Sequence, residues 1–509
     1  RSTRGTSSHQ HNPFVILADK DTTESTGECY SASFLYSGGF HAQAEVDQFN
    51  QTRLVIGIDD YDFSWKLKKG ESFSTPEVCL TYSADGFSKL SQTLHQAIVS
   101  NLIRSCWKDR VRPILVNNWE ATYFDFNKEN LVAIAKEAAE LNLDMMVLDD
   151  GWFGKREDDR SGLGDWFVNE EKLGGTLAEL VKEVHDMGLS FGLWFEPEMI
   201  SEDSDLYREH PDWALVVPGR QPIRSRSQLI LDMSREDVTD YLTERICDIV
   251  EKADIQYIKW DMNRSLMAAY SAKLPRDRQG ELRHRYVLGL YKVLEAVTQR
   301  FPELLMEGCS GGGGRFDAGM LYYCPQIWCS DNTDAIERLR IQYGTSFGYP
   351  MSSVSAHVSV CPNHQNHRVT PFKTRGICAM QGTFGYELDL SKMTDEEKKM
   401  AGEQIAFFKE HGRLFQFGDY YRLTSPFENR DYTVWEYAAQ DGSEACMSVV
   451  YTDMYANAAS EIVKWKGLDP KKVYQMQLDG EDAGNFSGAA LMHAGILLPL
   501  PEQNYDAFQ

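Results

Sequence analysis

From about residue 111 onward the sequence repeats one unit: a short apolar run, polar residues at its C-terminal end, and then an amphipathic helix. This alternation predicts parallel strands that are joined by crossover helices. Eight such units follow one another, which favours a closed (β/α)8 barrel over an open sheet. We predict the eight barrel strands at 112–119, 144–150, 190–196, 229–232, 255–264, 304–309, 326–331 and 351–358.

The fifth of these runs, 255–264, shows where the chemistry of such a barrel should lie. It begins with β-branched and aromatic residues and ends with Lys259, Asp261, Asn263 and Arg264. Polar groups at the tip of a buried strand must face a cavity, a ligand or one another, because unpaired burial is costly. Active sites of parallel barrels lie at the C-terminal ends of the strands. Asp261 is therefore the first candidate for a catalytic residue.

The two flanks of the barrel region have a different pattern. Residues 1–105 alternate short β-like runs with turn clusters and end in a helix near 88–103, which is typical of part of a β-sandwich. After a long helix at 395–411, the tail from about 420 returns to short strands. We predict a multidomain α/β plus β fold: a partial N-terminal β-sandwich with a linker helix (1–105), a catalytic (β/α)8 TIM barrel (106–418), and a small C-terminal antiparallel β-sandwich domain (419–509).

Charge and cysteine content exclude several classes of partner. A formal net charge of −24 argues against nucleic acid or an anionic membrane as a partner, since phosphate groups need a basic surface. No apolar run approaches the roughly 18 residues of a membrane span. The ten cysteines show no disulfide pattern, so we expect free thiols and a cytoplasmic protein.

Carboxylates and aromatic residues dominate the predicted strand tips, and no Ser or Cys there has an adjacent His. Two carboxylates on opposite sides of a pocket are what glycoside hydrolysis requires. Asp261 suits the nucleophile, because Lys259 two residues earlier points to the same side of the strand and favours the ionised form. Asp331 ends the seventh predicted strand and suits the acid. An apolar flank at Trp328 and repulsion by Asp261 would both raise the pKa of Asp331.

Other residues at these tips suit a sugar ligand. The adjacent carboxylates Asp149 and Asp150 can accept hydrogen bonds from neighbouring hydroxyl groups. Trp152 and Trp194 offer apolar faces on which the C–H groups of a sugar ring can stack. The candidate donors to sugar hydroxyls are Arg226 and Lys259.

Two alternatives to this assignment stay open at the sequence level. Glu196 and Glu198 compete for the catalytic role, although Pro197 between them indicates a rigid turn. Asp331 can instead be a helix N-cap, for which Asp334 is the better candidate.

The segment Cys361–His367 brings one cysteine and two histidines close together in the sequence. Such a group can bind a metal, but a solitary cluster without a second ligand pair is more often a hydrogen-bonded loop. We predict the loop, with no metal and no other cofactor.

Five segments of the barrel region resemble motifs of glycoside hydrolase family 36 α-galactosidases, in the same order. They are LDDGWFG at 148–154, WFEPEM at 194–199, YIKWDMNR at 257–264, CSGGG at 309–313 and SDNTDA at 330–335. The likeness extends to SHQHNPF at 8–14 and to the C-terminal region, and so covers almost the whole chain.

The resemblance implies a retaining mechanism with Asp261 as nucleophile and Asp331 as general acid/base. It places Asn332 on the aglycone side of the pocket. The resemblance also implies that galactose is contacted by Asp149, Asp150, Trp194, Arg226, Lys259, Cys309, Gly312 and Trp119. We add Asn263, which lies beside them at a predicted strand tip.

The expected activity is that of an exo-α-galactosidase, which releases terminal α-linked galactose from oligosaccharides such as melibiose and raffinose. The alternatives are an α-N-acetylgalactosaminidase or an α-galactosyl transferase of the same family, or a catalytically silent galactose-binding scaffold. Family members carry further residues before the position of Arg1, so we expect this chain to lack most of the N-terminal β-supersandwich. That domain helps to build a tetramer, and a homo-oligomer is expected where it is present.

Overall fold

The computed structural model describes residues 1–509. The N-terminal section contains an antiparallel sheet with the strand order β1-β2-β5, a separate hairpin β3-β4 and one helix. That helix continues through a wider turn at Ile98–Leu102 towards the barrel. The elements are β1 (Phe14–Ala18), β2 (Cys29–Phe34), β3 (Phe40–Val46), β4 (Thr52–Ile58), β5 (Val78–Ser83) and α1 (Gly86–Ala97).

The central section is a closed barrel of parallel strands surrounded by helices. Its elements are β6 (Leu115–Asn117), α2 (Trp119–Thr122), α3 (Lys128–Glu140), β7 (Met145–Leu148), α4 (Leu177–Asp186), β8 (Ser190–Phe195), β9 (Met199–Ile200), α5 (Asp205–Glu209), β10 (Leu229–Ile230), α6 (Glu236–Ala253), β11 (Tyr257–Trp260), α7 (Leu282–Arg300), β12 (Leu305–Gly308), α8 (Ala318–Leu321), β13 (Gln326–Trp328), α9 (Ala335–Thr345), β14 (Val354–Ser359), α10 (Phe372–Ala379), β15 (Thr383–Glu387) and α11 (Asp395–Phe417).

The barrel closes in the order β6-β7-β8-β11-β12-β13-β14-β15, with β15 paired to β6. The predicted TIM barrel is therefore confirmed, and its strands number eight as expected. Five buried side chains from β6, β7, β11 and β12 form one cluster inside the barrel, whose interior is packed with side chains and is not a pore. They are Leu115, Met145, Val147, Tyr257 and Leu305.

One predicted barrel strand is wrong, and one barrel strand was missed. The run at 229–232 does not enter the barrel: β10 pairs antiparallel with β9, in the long connection between β8 and α6. The eighth barrel strand is β15, which was not predicted from the sequence. Hydrophobic periodicity does not show which short apolar run becomes a barrel strand. Gly385 inside β15 also made that strand harder to predict. The strand that carries Asp261 is consequently fourth in the barrel, not fifth.

The C-terminal section is an antiparallel sheet of order β16-β17-β18-β23 with two small two-stranded sheets, β19-β22 and β20-β21, which confirms the predicted β-domain. Its core is a cluster that includes Val434, Val449 and Leu498. The elements are β16 (Asp419–Arg422), β17 (Tyr432–Ala438), β18 (Ala445–Tyr451), β19 (Ile462–Val463), β20 (Val473–Leu478), β21 (Glu481–Ser487), α12 (Gly488–His493), β22 (Ile496–Leu497) and β23 (Ala507–Phe508).

The three sections pack against one another through buried polar contacts. Arg422 in the C-terminal sheet donates to both carboxylate oxygens of Glu24 in the N-terminal section at 2.9 Å. Tyr437 donates to the main-chain carbonyl of Gln381, which lies just before β15. We keep 1–105, 106–418 and 419–509 as the proposed domains. None of the helices combines the length and the apolar composition that crossing a bilayer requires.

Candidate active site

A cavity of about 240 Å³ opens at the C-terminal ends of the barrel strands. Polar side chains dominate its lining. Ten of the twelve predicted site residues lie around it: Trp119, Asp149, Asp150, Trp194, Arg226, Lys259, Asp261, Asn263, Cys309 and Asp331. The barrel thus brings together side chains from loops that are far apart in the sequence.

Asp261 lies directly after β11 and is held by four donors. The main-chain N–H groups of Met262 and Gly311 donate to its Oδ1 at 2.8 and 3.2 Å. Asn263 Nδ2 and Trp194 Nε1 donate to its Oδ2 at 2.8 and 3.2 Å. With 7% of its surface exposed, Asp261 keeps a fixed orientation at the floor of the cavity.

The electrostatic surroundings keep Asp261 ionised. Burial acts to raise the pKa of its carboxyl group, but the positive charges of Lys259 and Arg226 outweigh that effect. The nearby Cys309 thiol and the hydrogen bond from Asn263 act in the same direction, so the pKa lies below the ordinary value of an aspartate. A carboxylate that is ionised, oriented and next to a cavity can act as a nucleophile.

Asp331 lies in the loop after β13, two strands round the barrel from β11. Its carboxylate is accessible from the cavity and accepts one hydrogen bond, from Trp328 Nε1 at 3.0 Å. Desolvation by the surrounding protein and the negative charge of Asp261 raise its pKa to about 6, although Lys259 and Arg226 oppose them. A carboxyl group with a raised pKa can donate a proton in mildly acidic solution.

The adjacent carboxylates Asp149 and Asp150 are both paired. Lys259 Nζ and Asn117 Nδ2 donate to Asp149 Oδ2 at 2.8 and 2.7 Å. Arg156 forms a two-pronged ion pair with Asp150, with Nε to Oδ1 at 3.0 Å and Nη2 to Oδ2 at 2.8 Å. The direct ion-pair partner of Lys259 is therefore Asp149, and its effect on Asp261 acts through space.

Glu198, one of the two rival candidates, is part of a closed structural network. No part of it is exposed, and it forms an ion pair with Arg315 at 2.8 Å. The indole of Trp260 donates to its Oε1 at 2.9 Å and the hydroxyl of Tyr286 to its Oε2 at 2.8 Å. Glu198 is not part of the cavity lining and has no free oxygen for a substrate.

Glu196, the other rival, is linked to Asp261 through Asn263. Its Oε2 accepts a hydrogen bond from Asn263 Nδ2 at 3.0 Å, and the same amide group donates to Asp261. Burial and the charge of Asp261 raise the pKa of Glu196 to about 7. It orients Asn263 and is not part of the cavity lining.

The other two predicted site residues, Gly312 and Asn332, lie outside the cavity lining, as does Trp152, which was predicted as a stacking face. Trp152 is fully buried and donates to the main-chain oxygen of Trp194 at 2.9 Å, so its predicted stacking role is wrong. Gly312 packs against the backbone of Asp331: with φ of +79°, a Cβ there would lie 2.5 Å from the nitrogen of Asp331. Asn332 directs its Oδ1 to the main-chain N–H of Asp334 at 3.1 Å.

The loop Cys361–His367 is held by hydrogen bonds to the segment that carries Asp331. Gln365 Nε2 donates to the main-chain oxygen of Asp331 at 3.0 Å, and Asn363 Nδ2 donates to Thr333 Oγ1 at 3.2 Å. Asp334 caps α9, accepting from Glu337 N at 2.8 Å, as expected. Asp331 is not the cap and stays available to the cavity.

Six residues of the lining were not assigned to the site from the sequence. Two of them are buried carboxyl groups on the wall opposite β11: Glu120 follows Trp119 in α2, and Glu387 ends β15. Glu120 could have been predicted from the sequence, because it directly follows Trp119 at a predicted strand tip. Glu387 was missed because its strand, β15, was not predicted. The six are Glu120, Trp328, Thr333, His364, Gln365 and Glu387.

The two wall carboxyl groups differ in charge state. Burial and the nearby negative charge of Glu387 raise the pKa of Glu120 to about 8. Burial also acts on Glu387, but a hydrogen bond from His357 and the charge of Lys259 hold its pKa below the ordinary value. The pair therefore keeps one proton near neutral pH.

Family comparisons cover nearly the whole chain. Residues 72–418 match the family model described as Melibiase. Residues 1–68 match the N-terminal domain of glycosyl hydrolase family 36, and residues 432–509 match its C-terminal domain.

Characterised relatives are similar over the full length of this chain. The bifunctional α-galactosidase/sucrose kinase AgaSK of Mediterraneibacter gnavus is 54% identical over 508 residues, which is 100% of this chain and 53% of that protein. The α-galactosidase AgaA of Geobacillus stearothermophilus is 53% identical, over 99% of this chain and 68% of its own length. This chain thus spans about half of the first relative.

A crystal structure of an AgaA variant in complex with raffinose superposes with a TM-score of 0.97 at 52% identity. The match covers 99% of this chain and 70% of that one.

Proposed function

The chain belongs to glycoside hydrolase family 36, and from that premise we propose that it is a retaining exo-α-galactosidase. One observation carries the proposal. Two aspartates line one cavity, and their surroundings shift their pKa values in opposite directions: Asp261 below the ordinary value and Asp331 up to about 6. That combination supplies an ionised nucleophile and a protonated acid at the same pH.

In the first step the Asp261 carboxylate attacks the anomeric carbon of a terminal α-galactosyl residue. Asp331 gives its proton to the glycosidic oxygen, and the bond from that oxygen to the anomeric carbon breaks. The product is a β-galactosyl ester of Asp261. The donors to Asp261 keep it oriented for attack before the substrate arrives, so little reorganisation remains for the reaction.

In the second step the Asp331 carboxylate takes a proton from a water molecule, whose oxygen attacks the anomeric carbon. The ester bond to Asp261 breaks, and α-galactose is released with the original configuration. Asp331 is then protonated and Asp261 is ionised again. The two residues therefore return to the charge states that their surroundings favour.

We assign galactose binding to the polar residues of the same cavity. The paired carboxylates Asp149 and Asp150 have remaining lone pairs for sugar hydroxyls, and Lys259 and Arg226 supply donors. Trp119 is half-buried at the rim, where it can cover one face of the sugar. The remaining proposed contacts are Trp194, Asn263, Cys309 and Gly312, with Asn332 on the aglycone side.

The proposed substrates are melibiose and oligosaccharides of the raffinose family. The relative crystallised with raffinose supports this substrate class. We also propose a reducing, cytoplasmic location, since none of the ten cysteines is paired. Assembly into a homo-tetramer, when the further N-terminal residues of the relatives are present, stays a prediction that light scattering can test.

The test is an activity panel on the purified chain. We expect hydrolysis of raffinose and of aryl α-galactosides, with α-galactose as the first product in a proton NMR time course. Initial release of β-galactose would contradict the retaining mechanism. A preference for aryl α-N-acetylgalactosaminides, or transfer products in place of free galactose, would favour the family alternatives. Galactose binding without turnover would indicate a silent scaffold.

A further inference from the structure

Glu120 is a buried carboxyl group of the cavity wall to which the proposed reaction gives no role. It follows Trp119 in α2, directly after β6, and 7% of its surface is exposed. Buried carboxyl groups are costly unless hydrogen bonds satisfy them. The hydrogen-bond partners of Glu120 therefore indicate what its buried carboxyl group does.

The Glu120 carboxyl group joins three separate loops of the barrel. Thr333 Oγ1, from the loop after β13, donates to its Oε1 at 2.8 Å. The main-chain N–H of Val360, from the loop after β14, donates to its Oε2 at 3.2 Å. His364 Nδ1 lies 3.4 Å from Oε1. Glu120 itself lies in α2, within the connection after β6.

One of these loops carries Asp331. Thr333 is two residues further along and is fixed on its other side by Asn363 Nδ2 at 3.2 Å. Gln365 Nε2 holds the main-chain oxygen of Asp331 at 3.0 Å. The Asp331 side chain accepts only one hydrogen bond, from Trp328, so its position depends on how firmly this loop is held.

We propose that Glu120 is a positioning residue for Asp331, which it holds at the glycosidic oxygen by joining the loops after β6, β13 and β14. The inference rests on the proposed role of Asp331 as acid/base. A general acid must lie within hydrogen-bond reach of the oxygen that it protonates. A displacement of about 1 Å can lower a rate by roughly 10²-fold.

The alternative is that Glu120 only stabilises the fold. The two roles predict different substrate dependence. A displaced acid slows the departure of poor leaving groups, such as the sucrose portion of raffinose. It has little effect on a 2,4-dinitrophenyl group, which leaves without protonation. A loss of folded structure slows both substrates equally.

The experiment compares kcat/KM of Glu120→Ala on raffinose and on 2,4-dinitrophenyl α-galactoside. Alanine removes both carboxyl oxygens, so the contacts to Thr333 and to Val360 are both lost. We expect raffinose hydrolysis to fall by about 10- to 100-fold and aryl hydrolysis to fall less than about threefold. Equal losses on both substrates, or no loss on either, would overturn the proposal.

A second pair of variants tests the same contact from the other loop. Thr333→Val removes the hydroxyl group that reaches Glu120, whereas Thr333→Ser keeps it. The valine variant should show the selective loss on raffinose, and the serine variant should restore most of it. Indistinguishable valine and serine variants would contradict the proposed contact.

The matched control is Glu436→Ala, which removes another buried carboxyl group in the C-terminal sheet, away from the cavity. Its raffinose-to-aryl ratio should equal that of the unmodified chain even if its Tm falls. In an Asp331→Ala background, Glu120→Ala should cause no further loss on raffinose, because both changes affect one function. If the unmodified chain hydrolysed neither substrate, the proposed function itself would fail, a result distinct from a failed positioning role.

Discussion

Two aspartate carboxyl groups, Asp261 and Asp331, have opposite surroundings on the two sides of the cavity. On the β11 side, Asp261 receives four hydrogen bonds, two of them from main-chain N–H groups. On the β13 side, Asp331 receives one, from Trp328. Lys259 and Arg226 lower the pKa of both, but only at Asp261 do the favourable contacts exceed the cost of burial.

The proposed role of each aspartate therefore follows from the burial, charges and hydrogen bonds around it and not from its residue type. The pKa of Asp261 lies below the ordinary value, so it is ionised throughout the working range. The pKa of about 6 for Asp331 lets it stay protonated in mildly acidic solution. The expected profile of kcat/KM rises as Asp261 ionises and falls as pH passes about 6, where Asp331 loses its proton.

The largest effect should come from removing the proposed nucleophile. Asp261→Asn keeps the shape of the side chain but removes its charge, and we expect kcat to fall by roughly 10⁴-fold or more. The same change removes the repulsion that raises the pKa of Asp331, so that pKa should fall, as NMR titration can measure. Galactose binding by calorimetry checks that the site is intact. An undiminished rate would exclude Asp261 as the nucleophile.

Removing the proposed acid, Asp331, should lower the rate less, and the loss should depend on the substrate. Asp331→Ala should lower raffinose hydrolysis by about 10²- to 10⁴-fold, with a much smaller effect on the first step for an activated aryl galactoside. Azide fits the vacated space and can attack the β-galactosyl ester, so the rescued product should be α-galactosyl azide. Formation of β-galactosyl azide with this variant would mean that the two aspartates have exchanged roles.

The sequence predicted the β11 side of the site better than the opposite wall. Lys259, Asp261 and Asn263 lie within five residues, so the conformation of one strand tip determines how they lie relative to one another. The partners of Glu120 are more than two hundred residues away along the chain. No local pattern indicates such contacts, because they depend on which strands become neighbours when the barrel closes.

The two strand errors have the same origin. Both concern short runs whose location depends on tertiary pairing: β10 pairs with β9 outside the barrel, and β15 completes it. Hydrophobic content indicated that a strand was possible at 229–232 but not which partner it would have. The predicted stacking role of Trp152 was wrong for a related reason. The sequence shows that an aromatic residue lies near a strand tip, but it does not show which way the side chain points.

A smaller loss should follow from Lys259→Met, which removes a positive charge that lowers the pKa of both aspartates. Both pKa values should rise, so both limbs of the kcat/KM profile should move to higher pH. The change also leaves Asp149 without its ion-pair partner, which should lower Tm. The double variant Lys259→Met, Asp149→Asn should recover Tm without restoring the profile. A profile that does not move would show that Lys259 acts only in binding.

The smallest and most selective effects should come from the two indole donors. Trp194→Phe removes a hydrogen bond to Asp261, and Trp328→Phe removes the one hydrogen bond to Asp331. A donor to a carboxylate favours its ionised form, so each change should raise the pKa of its own aspartate. The shift should stay within about one pH unit, since one unit corresponds to about 1.4 kcal/mol and water replaces part of the lost bond. Trp194→Phe should therefore move only the acidic limb of kcat/KM, and Trp328→Phe only the basic limb, both to higher pH. If either variant moved the opposite limb, the assignment of the two limbs to Asp261 and Asp331 would have to be reversed.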